Sequence, residues 1–222
     1  MHATDFMGLS LKNPVVIAPG PWSRGEKLKD ALQCNAGAII TESIVSESYA
    51  DTSPRYTYSS DNRGLQNIRL YSAAELEEWI HWLEEAKKQK RYGSSSRLIA
   101  SIMGSSPSEL GYLAKKIEKT GIDGIEIGFA CPMGEGQDII AGDPQRVYAC
   151  ASEVVRSVHV PVSVKLSAGT GNLSAVVEAA GKAGVSGISG IDTLRCILKI
   201  NIETGKPDLP TYGGYSGAPI RP

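Results

Sequence analysis

The sequence predicts an α/β fold of the TIM-barrel type, in which about six of the usual eight β/α units are present. Short apolar runs alternate with longer helical stretches along the 222 residues. Such alternation favours a parallel sheet, because each crossover between parallel strands needs its own helix. No Gly-x-Gly-x-x-Gly and no Walker phosphate loop follows the first strand, which disfavours the other parallel architecture, a doubly wound sheet.

The predicted elements are short strands, rich in β-branched residues, and longer helices. The strands cover residues 13–18, 38–41, 97–103, 124–127, 161–166 and 187–191. The helices cover residues 24–33, 72–90, 107–120, 143–157 and 173–183. A segment rich in Ser, Tyr and Asn, residues 43–67, separates the second strand from its helix. Long loops at this end of a barrel carry substrate contacts, so we expect this segment to contribute to the site.

Three of the helices have start signals. Ser72 and Glu75 have the spacing of a capping box, in which each side chain accepts a hydrogen bond from the other's backbone N–H. Ser106 stands before a proline, with Glu109 at the third helical position, and Asp143 also stands directly before a proline. A capping side chain followed by proline in the first turn is typical of a helix N-terminus.

Charge and cysteine content exclude several classes of protein. The 23 basic and 24 acidic residues give a net charge of −1, so nucleic-acid binding is not expected and a small-molecule partner is. The sequence has neither the roughly 18 apolar residues of a membrane span nor a secretory signal. The four cysteines include no CxxC pair. They therefore predict no iron–sulfur cluster, no metal site and no disulfide framework, and they favour a reducing cytoplasm.

Reactive or small residues follow several predicted strands. Lys165 ends the fifth strand, Cys131 stands before a proline after the fourth, and Asp192 follows the sixth. Residues 18–21, with the sequence APGP, follow the first strand and would let backbone N–H groups approach a flat ligand. Because the carboxyl ends of the strands meet at one face of a barrel, we expect these groups to form one site.

Several segments occur in the order found in one known family. They are LKNPVVIAPGPWS, SPRY, LQNIRLYS, LIASIMG, GIDGIEIGFACP, GDPQRV, PVSVKLSAG, GISGIDTL and TYGGYSGAPIRP. With these segments the chain resembles the flavin-binding barrel of the dihydroorotate dehydrogenase and dihydropyrimidine dehydrogenase family, and most closely the dihydropyrimidine dehydrogenase branch. The resemblance covers nearly the whole chain and implies a single FMN-binding barrel domain over residues 1–222.

The resemblance implies an FMN-dependent oxidoreductase that acts on the C5–C6 bond of a pyrimidine base or dihydropyrimidine. In such enzymes a cysteine exchanges a proton with a substrate carbon, while a hydride moves between the substrate and flavin N5. Cys131 occupies the position of that cysteine, and a readily ionised thiol suits the transfer. The alternative is a buried, inert cysteine.

The resemblance also implies which residues contact FMN and substrate. Lys165 matches the lysine that bonds the pyrimidine edge of the flavin, the alternative being an exposed lysine at a strand end. The other expected FMN contacts are Ala18, Pro19, Gly20, Glu42, Ser43, Gly190, Gly213, Gly214, Ser216 and Gly217. The expected substrate contacts are Asn67, Gly128, Phe129, Ala130, Asp192 and Thr193. Asn62 competes with Asn67, and the paired glycines have an ordinary tight turn as their alternative.

Four positions depart from the family pattern. Glu42 stands where the family has a lysine, and Asp192 replaces the asparagine of an Asn-Thr pair. Gly128 and Ala130 replace the asparagine and serine of the motif Asn-x-Ser-Cys-Pro. A carboxylate beside the flavin disfavours negative charge there, and an ionised carboxylate cannot donate a hydrogen bond. We therefore expect a changed substrate or little activity.

Two other functions stay open. One is a catalytically divergent FMN-binding or partner protein of the same fold. The other is a phosphate-handling barrel lyase, in which Lys165 would form a Schiff base. Family precedent further implies a flavin and iron–sulfur module, separate or fused, as electron-transfer partner, and a homo-oligomer.

The last residues of the sequence, GGYSGAPIRP, are expected to form a glycine-rich loop. In the family, one more helix and two further β/α units follow the equivalent segment and hold the FMN phosphate, as barrel phosphate sites do. We therefore expect the isoalloxazine half of the site without the phosphate half. The favoured interpretation is a fragment of a longer protein, and the alternative is a chain that a second polypeptide completes.

Overall fold

The computed structural model describes residues 3–48, 54–69, 71–90, 95–129, 140–167 and 169–221. Its strands are β1 (Thr4–Phe6), β2 (Leu9–Leu11), β3 (Val16–Ile17), β4 (Ala38–Ile40), β5 (Tyr56–Tyr58), β6 (Gly64–Asn67), β7 (Arg97–Ile102), β8 (Gly124–Gly128), β9 (Val162–Lys165), β10 (Gly187–Ser189), β11 (Leu194–Cys196) and β12 (Gly213–Gly217). Its helices are α1 (Lys27–Gln33), α2 (Leu76–Lys90), α3 (Pro107–Glu118), α4 (Pro144–Ser157) and α5 (Leu173–Lys182), with 3-10 turns at Ile140–Gly142 and Ala218–Ile220.

The central element is a six-stranded sheet in the order β3-β4-β7-β8-β9-β10. All of its pairings are parallel, and each strand pairs with the next parallel strand along the chain. A doubly wound sheet would reverse its strand order at a switch point, whereas a barrel adds each new strand on the same side. The strand order therefore confirms the predicted α/β fold, here a curled half-barrel.

Every predicted strand and helix is present, with changes at the ends. The first strand is shorter than predicted, two residues instead of residues 13–18. The Asn13 side chain explains this, since its Oδ1 accepts from the Val15 N–H at 3.0 Å and its Nδ2 donates to the Asn35 carbonyl at 2.7 Å. These bonds favour a local turn at the point where the pairing of β3 with β4 would otherwise begin.

Two of the three predicted helix starts are confirmed. Ser106 Oγ accepts from the Glu109 N–H at 3.2 Å, and Asp143 Oδ1 accepts from the Gln145 N–H at 2.8 Å. The predicted capping box of Ser72 is wrong, because α2 begins four residues later, at Leu76. Ser72 Oγ instead accepts from the buried Trp79 Nε1 at 2.9 Å, since a buried indole N–H requires an acceptor.

The hydrophobic core lies between the parallel sheet and the helices that cover its outer face. It includes Trp79 of α2, Leu113 of α3 and Val154 of α4, packed with Ile125 of β8 and Val164 of β9. All five side chains are fully buried, and such packing supplies most of the stability of amphipathic helices. Among the described residues, no helix has the length and apolar composition that crossing a membrane requires.

An antiparallel hairpin of β1 and β2, which the sequence analysis did not predict, covers the amino-terminal ends of the parallel strands. Met7 at its turn is 3% exposed. A Cβ added at Gly124, the first residue of β8, would lie 3.0 Å from Met7 Cε, and one added at Gly187, the first residue of β10, would lie 3.1 Å from Met7 Cβ. Glycine at both strand starts therefore makes room for the hairpin.

A second sheet, antiparallel, forms at the opposite end in the order β11-β12-β6-β5. It contains the segment GGYSG and part of residues 43–67, both of which were expected to be loops. Gly214 pairs in register with Asn67, and an added Cβ at Gly213 would lie 2.4 Å from the Asn67 carbonyl oxygen. Close approach of two strands, and not a tight turn, is the physical reason for glycine at position 213.

Candidate active site

A cleft of about 370 Å³ opens inside the curled sheet. It is lined by Phe6, Val16, Ala18, Pro19, Ile40, Glu126, Lys165, Ile188, Ser189, Gly190 and Ile191. Four of the predicted cofactor positions belong to this lining, namely Ala18, Pro19, Lys165 and Gly190. Residues at the carboxyl ends of the first, fifth and sixth parallel strands therefore meet at one cleft, as barrel topology predicts.

Lys165, the last residue of β9, is a half-buried cation in this cleft. Its Nζ lies 4.0 Å from Asp192 Oδ1, and the two side chains are 19% and 21% exposed. Asp192 Oδ1 also accepts from the Thr193 N–H at 2.8 Å, which fixes the carboxylate. Lys165 is thus an inward lysine with a nearby carboxylate, and its charge is directed at the cleft instead of at bulk solvent.

Glu126 of β8 is a buried carboxyl in the same cleft, with no exposed surface. Its Oε2 accepts from Ser189 Oγ at 2.7 Å. Its Oε1 is buried and has no hydrogen-bond partner in the part of the chain that the structure describes. Burial raises the pKa of Glu126, while the charge of Lys165 and the bond from Ser189 act in the opposite direction. This carboxyl therefore holds a proton more readily than an exposed glutamate does.

Glu42, which was expected to place negative charge beside the flavin, has a cationic partner. It is 5% exposed, and its Oε1 accepts from Arg69 Nε at 2.8 Å. The pair carries no net charge when both groups are ionised. Ser43 does not share this contact, since its Oγ lies 2.9 Å from Ser101 Oγ of β7.

The side chain of Asn67, the predicted substrate contact, forms hydrogen bonds with the backbone of Arg69. Asn67 Oδ1 accepts from the Arg69 N–H at 2.8 Å, and Asn67 Nδ2 donates to the Arg69 carbonyl at 3.2 Å. Asn62, the competing candidate, has a φ of 55° in the turn between β5 and β6, where asparagine is a common turn residue. The structure thus gives Asn62 a turn position and Asn67 a positioning contact.

The remaining cofactor candidates from the C-terminal segment lie in the antiparallel sheet. Ser216 pairs with Leu65, and Gly217 pairs with Gly64. An added Cβ at Gly214 would lie 2.1 Å from Thr193 Oγ1, so the predicted substrate residue Thr193 packs directly on β12. None of these residues belongs to the lining of the cleft described above.

Gly128, the last residue of β8, and Phe129, which follows it, have packing roles. An added Cβ at Gly128 would lie 3.0 Å from Met103 Cγ, so a larger side chain there requires a shift of Met103. Phe129 is 1% exposed and belongs to the hydrophobic core, which places its ring outside the cleft. Ala130 and Cys131, the predicted proton-transfer residue, lie outside the described residues.

Sequence reasoning missed Glu126, Ser189 and Arg69 as site residues. A glutamate in the apolar run GIEIG is a detectable signal, because a charged group in a buried strand needs a partner. For Arg69 no local signal exists, since its partner is 27 residues away in the sequence. Among the described residues, no cluster of three or more His, Cys, Asp or Glu could hold a metal ion.

Comparison with known proteins identifies the family. The family model described as dihydroorotate dehydrogenase matches residues 1–222. The chain belongs to the dihydroorotate dehydrogenase family. This family assignment confirms the predicted class of enzyme, an oxidoreductase of pyrimidine metabolism, and it agrees with the barrel topology.

Relatives in archaea support the assignment. The catalytic subunit of dihydroorotate dehydrogenase B (NAD(+)) from Pyrococcus furiosus is 33% identical in an alignment that covers 98% of this chain and 71% of that protein. The protein of the same name from Pyrococcus abyssi is 31% identical, over 100% of this chain and 72% of its own length. These names give the dihydroorotate dehydrogenase family and not the dihydropyrimidine dehydrogenase branch.

Solved structures of this family share the fold. A DHODH from Eimeria tenella in complex with ferulenol superposes with a TM-score of 0.78 at 15% identity, over 98% of this chain. The ligand-free form superposes with a TM-score of 0.77 at 14% identity. The chain spans 65% of the length of the first of these proteins and 68% of the second.

The residues of the cleft fit the ring end of an FMN, the cofactor expected for this family. Lys165 supplies a cation for an electron-rich ring edge. A Cβ added at Gly20 or Gly190 would meet no described atom within 4 Å, so open space lies beside the backbone after the first and sixth parallel strands. A planar ring requires such space next to small residues.

Proposed function

We propose that this chain forms the FMN-binding, catalytic barrel of an oxidoreductase that acts on the C5–C6 bond of a pyrimidine base or dihydropyrimidine. The observation that carries the proposal is the position of Lys165. Together with Ala18, Pro19 and Gly190 it lines a cleft at the carboxyl ends of the strands, in a chain whose family match covers residues 1–222. FMN, when bound, would accept or supply the hydride.

Lys165 and its neighbours would bind and orient the ring. The Lys165 ammonium would donate to the pyrimidine edge and stabilise negative charge there, and the Asp192 carboxylate lies 4.0 Å from its Nζ. The lining at Ala18, Pro19 and Gly190 would let the backbone lie against the ring. Phe6, Val16 and Ile40 would exclude water from the same cleft, which strengthens the electrostatic contact.

Cys131 would hold or accept the proton at its Sγ. This role follows from its position in the motif FACP. General acid–base catalysis by a positioned thiol contributes rate factors on the order of 100 or more. The other proposed cofactor contacts stay Gly20, Glu42, Ser43, Gly213, Gly214, Ser216 and Gly217. The proposed substrate contacts stay Asn67, Gly128, Phe129, Ala130, Asp192 and Thr193.

The substrate that the described residues favour is an uncharged pyrimidine, as in the dihydropyrimidine dehydrogenase branch. Dihydroorotate carries a carboxylate, which a cation in the binding site would stabilise. The Arg69 guanidinium already bonds Glu42, and Lys165 faces Asp192 and Glu126. An uncharged ring needs only hydrogen bonds and would fit this balance of charge.

A second candidate is an FMN-binding protein of this fold without dehydrogenase activity. The contact at Gly128 favours it, because the asparagine that the family has at this position would fit only after a shift of Met103. A binding site that lacks buried hydrogen-bond partners for its substrate loses a large rate factor. The lyase alternative, with Lys165 as a Schiff-base amine, receives no support from the family assignment.

Turnover measurements distinguish these candidates. The purified protein should be yellow and should oxidise dihydrouracil or dihydrothymine faster than dihydroorotate with an artificial electron acceptor. Cys131→Ser should lower the rate with any active substrate by about 100-fold. Cys34→Ser, at an exposed cysteine, is the matched control and should leave the rate unchanged.

Each other result selects a different function. Bound, reducible flavin without turnover of any of the three substrates supports the non-catalytic candidate. A colourless protein that borohydride traps as a Lys165 adduct supports the lyase. A Cys131→Ser variant with the rate of the unaltered protein contradicts proton transfer by this thiol.

We also propose an electron-transfer partner, a flavin and iron–sulfur subunit or domain. The relatives in archaea are named catalytic subunits of an NAD(+) enzyme, which supports a second subunit. A homo-oligomer and a cytoplasmic location belong to the same proposal. Light scattering of the purified protein, alone and with a candidate partner, measures both assemblies.

A further inference from the structure

Four polar side chains share the inner face of the sheet on three neighbouring strands. Glu126 of β8 pairs in register with Ser163 of β9, and Lys165 of β9 pairs with Ser189 of β10. Residues paired in register point to the same face, as do residues two apart on a strand. Glu126, Ser163, Lys165 and Ser189 therefore point into the interior of the half-barrel together.

One hydrogen bond crosses the middle strand of this group. Ser189 Oγ on β10 donates to Glu126 Oε2 on β8 at 2.7 Å, with β9 between the two strands. Within the described ranges, Glu126 Oε1 and Ser163 Oγ are both buried and without a hydrogen-bond partner. A buried carboxyl with one oxygen bonded and one oxygen open can gain a proton without losing the bond from Ser189.

We propose that Glu126 is the buried counter-charge of Lys165 and takes up a proton when an anionic planar ring binds beside that lysine. In this uptake, Glu126 Oε1 forms an O–H bond with a proton drawn from solvent, and no electrons move. The part that concerns ring binding rests on the proposed function, whereas the pairing of Glu126 with Lys165 does not.

The balance of charges in the cleft explains why Glu126 would take up a proton. Among the described residues, the charged groups that face Glu126 are Lys165 of β9 and Asp192 after β10. The neighbouring strand β7 places the uncharged Ser101 in register with Glu126, and β1, β3 and β4 contribute only Phe6, Val16 and Ile40 to the lining. With both acids ionised, the three groups carry a charge of about −1, and a bound anion would raise this to about −2 in a medium of low dielectric constant. Protonation of the most deeply buried acid relieves that repulsion, as in other coupled pairs.

The pH dependence of Lys165 acetylation tests the pairing in the flavin-free protein. Mass spectrometry of the peptide that contains Lys165 gives the labelling rate at each pH. Glu126→Gln should speed labelling severalfold at a fixed pH, because it removes a negative charge that attracts the Lys165 ammonium. Ser189→Ala should act in the same direction by a smaller factor, since it favours protonated Glu126.

Glu85→Gln, at an acid that pairs with Lys88 on α2, is the control and should leave the Lys165 profile unchanged. Superimposable profiles for the unaltered protein and Glu126→Gln overturn the pairing. If Glu126→Gln does not fold, Ser189→Ala decides, and an unchanged profile in that variant also overturns the proposal.

The pH dependence of the flavin reduction potential tests proton uptake in the holoprotein. Above neutral pH the unaltered protein should take up about two protons per electron pair, and Glu126→Gln should take up about one. Equal slopes in the two proteins overturn the uptake. A protein that binds no flavin contradicts the proposed function instead, and the acetylation profile still decides whether Glu126 is the counter-charge of Lys165.

Discussion

Arg69 Nε donates a hydrogen bond of 2.8 Å to Glu42 Oε1, and the two side chains are only 13% and 6% exposed. This buried ion pair joins the segment after β4 to the segment after β6. It also explains how an acid is tolerated where the family has a lysine, since the guanidinium balances the carboxylate. Asn67 holds the backbone of Arg69 on both sides, so the pair is fixed by the antiparallel sheet.

Arg69→Met should destabilise the protein by about 3–5 kcal/mol, because it leaves the buried Glu42 carboxylate without its cation. Urea denaturation, followed by circular dichroism, measures the free energy of unfolding. Glu42→Gln combined with Arg69→Met should recover part of this loss, since it removes the uncompensated charge. Arg156→Met, in an exposed pair with Glu153, is the control and should cost less than about 1 kcal/mol. A loss at Arg69 no larger than at Arg156 contradicts the importance of the pair.

Ser72→Ala should lower the free energy of unfolding by about 1–3 kcal/mol, because the buried Trp79 N–H then has no acceptor in Ser72. The measurement is again chemical denaturation, with the change in tryptophan fluorescence as a second signal. Ser174→Ala, on the exposed side of α5, should change the stability by less than about 0.5 kcal/mol. Equal effects of the two substitutions would show that Ser72 acts as an ordinary surface residue.

Gly213→Ala should destabilise the antiparallel sheet by about 1–3 kcal/mol, because its Cβ would lie 2.4 Å from the Asn67 carbonyl oxygen. Gly181→Ala should have the opposite sign, a gain of about 0.5–1 kcal/mol, since position 181 is helical and its Cβ meets no described atom within 4 Å. Thermal unfolding of both variants gives the comparison. Stabilisation by Gly213→Ala would contradict the close approach of β12 and β6.

The described cysteines should react with iodoacetamide at very different rates. Burial raises the pKa of Cys150 to about 11, so at pH 8 only about one Cys150 thiol in a thousand is ionised. Cys34 is exposed and should be labelled first among the described cysteines. The rate at Cys150 should rise about tenfold for each pH unit up to its pKa, as the thiolate fraction rises. Mass spectrometry of the labelled peptides measures both rates, and equal labelling at pH 8 would contradict the burial of Cys150.

Local signals in the sequence predicted the parallel elements well. The caps Ser106 and Asp143 form as expected, because a capping side chain bonds backbone groups only two or three residues away. The alternation of strands and helices gave the barrel topology for a similar reason, since each crossover is a local unit. Lys165, at the end of an apolar strand, lines the cleft, and its contact with FMN stays a proposal.

The predictions that needed correction depend on distant contacts. Ser72 and Glu75 had a suitable spacing for a capping box, but in the folded chain the Ser72 hydroxyl accepts a hydrogen bond from the Trp79 indole. The glycines of GGYSG were expected in a loop, and their strand exists only because β6 lies beside it.

The sequence by itself determined the order of the β/α units, the family and the lysine at the end of the fifth strand. Only the tertiary structure decided which side chains pair. Glu42 forms an ion pair with Arg69 across 27 residues, and Glu126 accepts a hydrogen bond from Ser189 across 63 residues. The physical reason is that an ion pair or hydrogen bond depends on distance in space. Chain folding brings these side chains within about 3 Å of each other, and their spacing along the sequence does not reveal this proximity.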